Sequence, residues 1–368
     1  VRIKSNPSNP TTKCMLDLNL TALFDDKPNL IKTFPIRVRN LIRTANINVD
    51  IVMKFCLPAV PPWTINSPTV DLSLHTGNKY SKSPNLLKTK FYWLVAVNPN
   101  YTHIFTDGSK DKDAVSSAVV CGKRTVTLRL PSATSVFTAE AYAICLALQL
   151  VETTDGMRFI IFSDSLSCLQ AILNHNWQHP IVCKILEKLH SLSQSHKEVK
   201  LCWVPSHIGI HGNEAADVAA KTALKSHDVA NVCIPHTDFK HSISSCFTAL
   251  WQTNWNATSF NKRKEIKPNV GKTKVPTTFT RRDEVVLRRI RIGHTHLTHA
   301  YLLKRETPPE CSHCKCLLSV KHILVECPQY NTFRSKHYTV TTLYELFHTI
   351  HPTHIISYLK DINYYSKL

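Results

Sequence analysis

The stretch Tyr101-Thr102-His103-Ile104-Phe105-Thr106-Asp107-Gly108-Ser109 has the composition of a β-strand that ends at a turn. Two runs rich in β-branched residues follow at 114–120 and 125–130, which predicts a hairpin. Strong helix formers then fill 138–151. The pattern is completed by strands at 157–162 and 199–204 and by helices at 165–173, 181–193 and 213–224. This order of elements predicts an α/β fold with a five-stranded mixed sheet flanked by helices.

Acidic side chains lie at the ends of these elements. Asp107 closes the first strand, Asp164 follows the fourth, Glu140 lies in the first turn of the helix between them, and Asp217 lies one turn into the last helix. Residues at the carboxyl ends of neighbouring strands converge on one crevice, where four carboxylates repel one another unless cations neutralise them. Oxygen ligands suit Mg²⁺ or Mn²⁺, and two ions ~3.5–4 Å apart can clamp the attacking and leaving oxygens of a phosphodiester. The alternative is that each acid is a helix cap or a solvated turn residue.

The residues beside each acid form a series of short motifs. In chain order they are Thr106-Asp107-Gly108-Ser109, Thr138-Ala139-Glu140, Ser163-Asp164-Ser165, Trp203-Val204-Pro205-Ser206-His207-Ile208-Gly209 and Gly212-Asn213-Glu214-Ala215-Ala216-Asp217. In order and spacing this series resembles the type 1 ribonuclease H domain over residues 101–224, about a third of the chain. The last two motifs look most like the domains of non-LTR retrotransposon polyproteins of the insect jockey/I-like type.

The resemblance implies a catalytic site and a substrate. Asp107, Glu140, Asp164 and Asp217 would bind two Mg²⁺ ions, with Mn²⁺ as a substitute and Asp107 bridging both metals. The RNA strand of an RNA–DNA hybrid would be cut, leaving a 5′-phosphate and a 3′-hydroxyl. His207 matches the family's mobile loop histidine, which assists protonation or product release, and His211 is the second choice for that role.

Other residues of the matching region have looser assignments. Glu214 and Asn213 either support the metal site or stabilise the helix start as capping and first-turn residues. The resemblance implies donors to the phosphates of the DNA strand, namely Ser109, Ser135 and Thr138. Some family members carry a basic protrusion that grips the hybrid, but residues 174–180 are only a short connection here. We therefore expect other parts of the chain to supply affinity for the hybrid.

The positive charge of the chain lies outside the matching region. The 368 residues carry a net charge of +19, with 43% hydrophobic and 19% charged residues, which is typical of a globular protein with a polyanionic partner. Residues 101–224 hold 11 basic and 11 acidic residues, whereas 262–305 hold 13 basic and 3 acidic residues. We predict nucleic-acid contacts, to RNA and DNA, from Lys262, Arg263, Lys264, Arg288, Arg289 and Arg291. The alternative is a solvated basic helix, since 281–303 is helical by composition.

A Cys/His cluster follows the basic segment. Cys311, Cys314, His322 and Cys327 supply three thiolates and one imidazole, a set that closes a tetrahedral Zn²⁺ site. The alternative ligands are Cys316 and His313, and the alternative structure is a reduced, partly buried cysteine cluster. Together with the basic helix, the cluster resembles the CCHC tail after the ribonuclease H domain of insect-type elements, which implies a zinc module that binds nucleic acid.

Four segments are predicted from these features. Residues 1–100 are an irregular remnant and linker after a lost polymerase domain, with a short helix after Pro35 and an irregular stretch at 63–98. The ribonuclease H domain spans 101–226, a basic helical segment spans 227–305, and the zinc tail spans 306–368. The 13 cysteines are odd in number and mostly scattered, which favours a reduced, intracellular protein in the cytoplasm or nucleus. No run of about 18 apolar residues is present, so no membrane partner is expected.

Three functions compete on this evidence. The first is a metal-dependent nuclease that removes RNA from hybrids during retrotransposition. The second is a catalytically silent remnant that only binds nucleic acid. The third is a transposase or integrase on the same fold, which would use fewer acidic residues and is disfavoured by the loop around His207. No Tyr/Phe-x-Asp-Asp polymerase motif is present, so we expect no reverse transcription from this chain.

Overall fold

The structure is a computed structural model that describes residues 10–11, 31–54, 60–75, 83–259, 262–272 and 275–368. The chain divides into two compact units, Val1–Ser244 and Ser245–Leu368. The first unit contains the sheet, and the second is helical. Each unit has its own hydrophobic core within the described residues.

The first unit is built on a mixed sheet with the strand order β1-β6-β5-β2-β3-β4. The strands are β1 (Thr69–Asp71), β2 (Thr102–Asp111), β3 (Ala114–Cys121), β4 (Arg124–Leu130), β5 (Arg158–Ser163) and β6 (Glu198–Trp203). The hairpin strands β2, β3 and β4 are antiparallel, whereas β1, β6, β5 and β2 run parallel. The predicted mixed sheet is confirmed, and so are its five predicted strands.

Helices cover both faces of this sheet. The helices of the first unit are α1 (Phe34–Thr44), α2 (Pro84–Ala96), α3 (Val136–Thr153), α4 (Leu166–Leu173), α5 (Pro180–Gln194) and α6 (His211–Ala223), with a 3₁₀ turn at Pro62–Thr64. Helices α3 and α6 lie on opposite faces of the sheet, as two adjacent serines of β3 show. Neighbouring residues of a strand point to opposite faces. The hydroxyl of Ser117 donates to the Ala139 carbonyl of α3 at 2.6 Å, and that of Ser116 donates to the Ala220 carbonyl of α6 at 2.6 Å. The sheet is therefore held between α3 and α6.

The segment before the hairpin is more regular than the sequence suggested. The predicted irregular stretch at 63–98 is wrong, because it contributes β1 and α2 to the first unit. Strand β1 pairs in parallel with β6, which makes the sheet six-stranded and not five-stranded. Helix α2 buries Phe91 and Leu94 against Phe162 of β5. The high Pro and Asn content of this segment is typical of irregular structure, so the sequence did not predict either element. The predicted helix after Pro35 is confirmed as α1.

Helix α3 is the central helix of the first unit. By length and composition it is apolar enough to cross a membrane, and it is the one such helix in the described residues. Its apolar side chains, including Ile144, Leu148 and Val151, are fully buried in the main core together with Phe159 and Ile161 of β5. Packing on the sheet therefore accounts for its hydrophobicity.

The second unit is a set of helices with a short loop-rich segment between them. Helix α7 (Phe239–Ala257) leads into it, and its other elements are α8 (Lys262–Ile266), α9 (Arg281–Ile292), α10 (His296–Lys304), a π-helical turn (His322–Glu326), a 3₁₀ turn (Pro328–Tyr330), α11 (Asn331–His337), α12 (Leu343–Thr349) and α13 (Pro352–Asp361). The core includes Leu287, Ile290, Leu346, Ile355 and Tyr358, all at most 1% exposed. The predicted basic helical segment and Cys/His tail are thus parts of one hydrophobic core.

The basic stretch 281–303 is helical, as its composition indicates, but it forms two helices with a break between them. Gly293 adopts φ 76° and ends α9 in the left-handed conformation that glycine tolerates best. Thr295 then caps α10 through a reciprocal pair with Thr298. The break separates Arg288, Arg289 and Arg291 from the second half of the basic stretch.

A carboxylate beyond the predicted domain anchors the start of α3. Asp238, in a 3₁₀ turn (His236–Asp238), is buried and accepts hydrogen bonds of 3.0 Å from the Ser135 main-chain N–H, the Ser135 hydroxyl and the Thr138 hydroxyl. A negative charge at a helix N-terminus is favourable because the main-chain N–H groups there lack partners in the helix. The folded unit therefore extends past residue 226, where the sequence placed its end.

We expect Asp238→Ala to lower the free energy of unfolding by about 1–3 kcal/mol, since it leaves a buried N–H and two hydroxyls without their acceptor. Urea denaturation of the full chain measures this change. Asp228→Ala is the matched control, because Asp228 is an exposed aspartate. Equal stability of the two variants would show that Asp238 does not anchor α3.

Candidate active site and metal centres

Three carboxylates meet at the end of the sheet. Asp107 lies on β2, Glu140 in α3, and Asp164 directly after β5. Each offers one oxygen, and these three oxygens lie within 4.8 Å of one another. Asp107 and Glu140 are buried, at 6% and 7% exposure, and Asp164 is half-buried. The structure thus brings together three of the four acids predicted from the sequence.

Gly108 allows Glu140 to reach this cluster. A Cβ atom at position 108 would lie 2.5 Å from the main-chain nitrogen of Glu140, which is closer than non-bonded atoms approach. Because glycine has no Cβ, α3 packs directly on β2 at this point. The Gly108 main-chain N–H also hydrogen-bonds to Glu140, and this bond opposes the rise in the pKa of the carboxyl group. The Asp-Gly pair of the sequence motif therefore has a packing role as well as a chemical one.

Two other side chains orient Asp164. The Trp203 indole N–H donates to the Asp164 main-chain carbonyl at 3.0 Å. The Asn213 side chain, buried in α6, hydrogen-bonds to Asp164 and lowers the pKa of its carboxyl group. The N-cap of α6 is Ile210, so Asn213 is not a capping residue. The sequence allowed Asn213 either to cap the helix or to support the acidic cluster. Its contact with Asp164 favours the second interpretation.

The cluster is electrostatically unfavourable without a cation. Burial, followed by the neighbouring charges of Asp164 and Asp217, raises the pKa of Asp107 to about 7. Burial and the charges of Asp107 and Asp164 raise the pKa of Glu140 well above its usual range. Burial also raises the pKa of Asp164, although Asn213 and the nearby His207 oppose the effect. Each shift reflects carboxylates that are removed from water and placed next to like charges.

Asp217 lies at the border of the cluster. It is close enough to raise the pKa values of Asp107 and Asp164. Its own carboxylate receives a hydrogen bond of 2.7 Å from the Lys221 ammonium, one turn further along α6. The Lys221 charge in turn lowers the pKa of Asp107. Lys221 thus supplies part of the positive charge that the cluster needs, and the sequence analysis did not identify it.

The donor set fits a divalent cation. All the donors are carboxylate oxygens, which Mg²⁺ and Mn²⁺ prefer. The Oε2 atom of Glu140 is buried and has no hydrogen-bond partner among the described residues. A buried carboxylate oxygen without a partner is costly, and a bound cation would satisfy it.

The loop before α6 carries the predicted histidine. His207 is exposed, has φ 57°, and lies close enough to Asp164 for its charge to lower the pKa of that carboxyl group. His211 is exposed at the first position of α6, and Glu214 is exposed in its first turn. The structure therefore places His207 near the acidic cluster, whereas Glu214 lies where the helix dipole alone favours an acid.

The proposed phosphate donors have different surroundings. The hydroxyls of Ser135 and Thr138 bond to Asp238, and the Ser135 hydroxyl also caps α3 by accepting from the Thr138 N–H at 3.2 Å. Ser109 is half-buried on β2, two residues after Asp107. Contact of these three hydroxyls with DNA stays a prediction.

A second cluster lies in the C-terminal unit. Cys311, Cys314, His322 and Cys327 place their ligand atoms within 4.8 Å of one another. The Cys327 sulfur is 3.8 Å from both the Cys311 and the Cys314 sulfur. Tetrahedral Zn²⁺ with Zn–S bonds of about 2.3 Å requires sulfur atoms about 3.8 Å apart, so the spacing fits zinc. All cysteines in the described part of the chain are free of disulfides.

Exposure separates the four predicted ligands from the two alternatives. Cys311, His322 and Cys327 are buried and Cys314 is half-buried, whereas Cys316 and His313 are exposed. The Cys316 sulfur lies 3.5 Å from Nδ1 of His322 but outside the four-ligand group. A hydrogen bond from the Cys314 main-chain N–H is the main reason that the pKa of the Cys311 thiol falls to about 6, as suits a thiolate ligand.

Most of the basic side chains that were predicted to contact nucleic acid interact with other groups of the protein. Arg288 pairs with Glu284 at 3.1 Å, Arg289 donates to the Leu368 main-chain oxygen at 2.6 Å, and Lys264 donates to the Asn256 carbonyl at 2.5 Å. Arg291 is half-buried above the Phe347 ring, and Arg263 is exposed. The side chain of Lys262 lies outside the described residues. Arg288, Arg289 and Lys264 therefore have partners within the protein, and the nucleic-acid contacts of all six residues stay predictions.

Comparison with known proteins places the first cluster in a family. Residues 99–225 match the sequence model of the RNase H family, so this part of the chain is an RNase H domain. The Pol polyprotein of equine infectious anemia virus (strain Wyoming) is 35% identical over 126 residues, which is 32% of this chain and 10% of that protein. The chain thus spans about a tenth of the length of this viral relative. The predicted domain type is confirmed, and the acidic cluster lies inside the matched residues.

Because the pKa of Asp107 is raised, we expect the free energy of unfolding to depend on pH when metal is removed. Its folded pKa of about 7 exceeds that of an unfolded aspartate, about 3.9, so the folded state retains a proton that the unfolded chain releases. The free energy of unfolding therefore falls as the pH rises from about 4 to about 7. We expect Asp107→Asn to remove this loss, so that in EDTA the variant is more stable than the wild type at pH 7 and similar to it at pH 4.

Denaturation curves at both pH values measure this difference, with Asp113→Asn in the exposed hairpin turn as the control. A difference between Asp107→Asn and wild type that is the same at pH 4 and pH 7 would contradict the assignment.

The Cys/His cluster predicts one zinc ion per chain in protein purified without chelator. Replacing Cys311, Cys314 and Cys327 together by serine should abolish zinc binding, since serine hydroxyls are poor ligands for this ion. Metal analysis by mass spectrometry measures the content. Cys316→Ser is the matched control and should keep its zinc. Zinc retained in the triple variant would refute this ligand set.

Proposed function

We propose that this protein is an endoribonuclease that cleaves the RNA strand of RNA–DNA hybrids in a retroelement. The observation that carries the proposal is the cluster of Asp107, Glu140 and Asp164 inside an RNase H domain, with Asp217 beside it. The similarity to a viral Pol polyprotein supports the retroelement context. A non-LTR element of the insect type and an intracellular site of action belong to the same proposal.

The acidic residues would hold two divalent cations, Mg²⁺ or Mn²⁺. When bound, such ions supply Lewis-acid stabilisation and an activated water for phosphodiester hydrolysis. Asp107 interacts electrostatically with both Asp164 and Asp217, so its carboxylate would help to hold both cations. Glu140 enters from α3 with a buried oxygen that has no other partner in the described protein.

Residues around the cluster set its geometry. Asn213 and Trp203 fix Asp164 through its side chain and its main chain, respectively. Lys221 holds Asp217 from the solvent side, and a cation at the cluster would compete with its ammonium group for that carboxylate. His207, on its exposed loop near Asp164, would assist protonation or product release.

The C-terminal unit would supply affinity for nucleic acid. Its Cys3His site fits structural zinc, which would stabilise the segment between α10 and α11. The basic residues of 262–305 give it a positive charge that the neutral segment 101–224 lacks. Each contact between a cation and a phosphate releases counterions, so removal of 262–368 should weaken hybrid binding and reduce its salt dependence.

A catalytically silent nucleic-acid-binding protein is the second candidate. The Asp217–Lys221 ion pair favours it, because a lysine already neutralises one of the four acids. The buried Glu140 oxygen without a partner favours the nuclease, since a site that never binds metal gains nothing from that cost.

Cleavage of a labelled hybrid decides between them. With Mg²⁺ the full chain should cut the RNA strand and leave the DNA strand intact. Asp107→Asn should reduce the rate about a thousandfold or more, because metal-assisted stabilisation amounts to several kcal/mol. Asp113→Asn is the control for an acid removed elsewhere and should cleave normally. Equal cutting of both strands, or activity that persists in Asp107→Asn, would rule out the nuclease assignment.

A further inference from the structure

The C-terminal unit contains a cavity of about 730 Å³ that no motif predicted. Its walls come from α8, the loop 267–272, the end of α9, and α12 with the residues that follow it. The cavity shares no residue with the Cys/His cluster. Its volume lies within the range of about 300–1,000 Å³ that is typical of ligand pockets.

The lining of the cavity is strongly basic. It includes four permanently charged cations and two histidines: Arg263, Lys267, Lys272, Arg291, His348 and His351. None of the described residues that line it is Asp or Glu. Such a concentration of one charge in a concave site attracts anions.

Arg291 is the central basic group of this cavity. Burial lowers the pKa of its guanidinium, which shows that the charge is partly removed from water. Among the described residues Arg291 has no ion pair and no hydrogen bond, and its one described interaction is the contact with the Phe347 ring, at 5.6 Å from the centroid. A half-buried cation without a carboxylate is costly, and an anion in the cavity would offset that cost.

Aromatic rings line the same cavity. Tyr344 is 46% exposed, and its ring stacks on His348 with centroids 4.0 Å apart and an interplanar angle of 22°. Both rings lie one turn apart on α12, beside the ring of Phe347. An exposed aromatic stack next to several cations is the combination that receives an unpaired base and its phosphate.

We propose that this cavity binds single-stranded nucleic acid, with a base stacked on the Tyr344–His348 pair and an adjacent phosphate at Arg291. The inference deepens the nucleic-acid-binding role proposed above for the C-terminal unit and rests on it. A base paired in a duplex is already stacked on its neighbours, so its face is not available to Tyr344. The site should therefore favour an unpaired strand over a hybrid, such as the RNA or DNA next to a hybrid segment.

Binding of fluorescent 12-nucleotide single strands of RNA and of DNA to the full chain tests the proposal. Tyr344→Ala should weaken binding at least about fivefold, because stacking of one base on an aromatic ring is a substantial part of such affinity. Tyr344→Phe keeps the ring and should bind as the wild type does. A blunt hybrid of the same length should be insensitive to Tyr344→Ala.

The salt dependence separates the phosphate contact from the stacking contact. Arg291→Gln should reduce the slope of log affinity against log salt by about 0.7, the value for one phosphate contact on a single strand. Tyr344→Ala should leave the slope unchanged. Arg281→Gln, which removes a charge from the exposed start of α9, is the control for general electrostatics and should have a smaller effect on affinity than Arg291→Gln. Thermal denaturation of every variant shows that the fold is intact.

Two results would overturn the proposal. One is wild-type affinity for single strands in both Tyr344→Ala and Arg291→Gln. The other is an equal loss of hybrid and single-strand binding in Tyr344→Ala, which would show that stacking is not involved. Hybrid cleavage measured on the same wild-type preparation keeps the two proposals separate. A protein that cleaves but does not bind single strands refutes the cavity alone, and one that binds but does not cleave refutes the nuclease alone.

Discussion

Repulsion among carboxylates at the end of the central sheet is the constraint on which the first unit depends. Asp107 and Glu140 are buried next to Asp164, and each carboxylate raises the free energy of ionising the others. A fold that served stability alone would replace such groups or separate them. Here β2, β5 and α3 converge so that the acids meet, and Lys221 offsets only part of their charge. The arrangement is understandable as a cation site whose ligands are held ready before the cation arrives.

The rest of the sheet holds this strained arrangement in place. Gly108 brings α3 into direct contact with β2, and Ser117 and Ser116 attach helices to opposite faces of β3. Asp238 secures the first turn of α3 from outside the family-matched residues. Because Glu140 follows that turn closely, Asp238 anchors the same helix that carries Glu140. The stability of α3 and the position of Glu140 in the acidic cluster thus depend on the same contacts.

Charge is distributed unevenly along the chain. The RNase H domain concentrates negative charge, which favours metal but repels nucleic acid, and its net charge over 101–224 is zero. Residues 262–305 of the helical unit hold 13 basic and 3 acidic residues, but several of these arginines interact with other groups of the protein, as in the Arg288–Glu284 pair. Arg263, Lys267, Lys272 and Arg291 line one concave site. A count of basic residues therefore overstates the surface that is free for nucleic acid.

Local patterns in the sequence were sufficient for the strands and helices of 101–224, for the three clustered acids and for the four Cys/His ligands. Each of these depends on neighbours in sequence or on the rule that parallel strands end at one edge. Strand β1 and helix α2 were missed, because proline-rich and asparagine-rich segments become regular only when a sheet edge and a hydrophobic face are available to them. The break at Gly293 was missed as well, since composition does not show where a chain must turn to build a core.

The sequence by itself determined the domain type, through motifs that resemble a known family, and it identified the acidic and Cys/His residues that cluster in the structure. Only the tertiary structure decided that Asn213 supports Asp164, that Asp238 anchors α3, and that Arg291, Tyr344 and His348 line one cavity. These residues come from elements distant along the chain, and no local pattern records their contact. Their proximity is produced by hydrophobic cores, which select a packing and thereby set which polar groups meet.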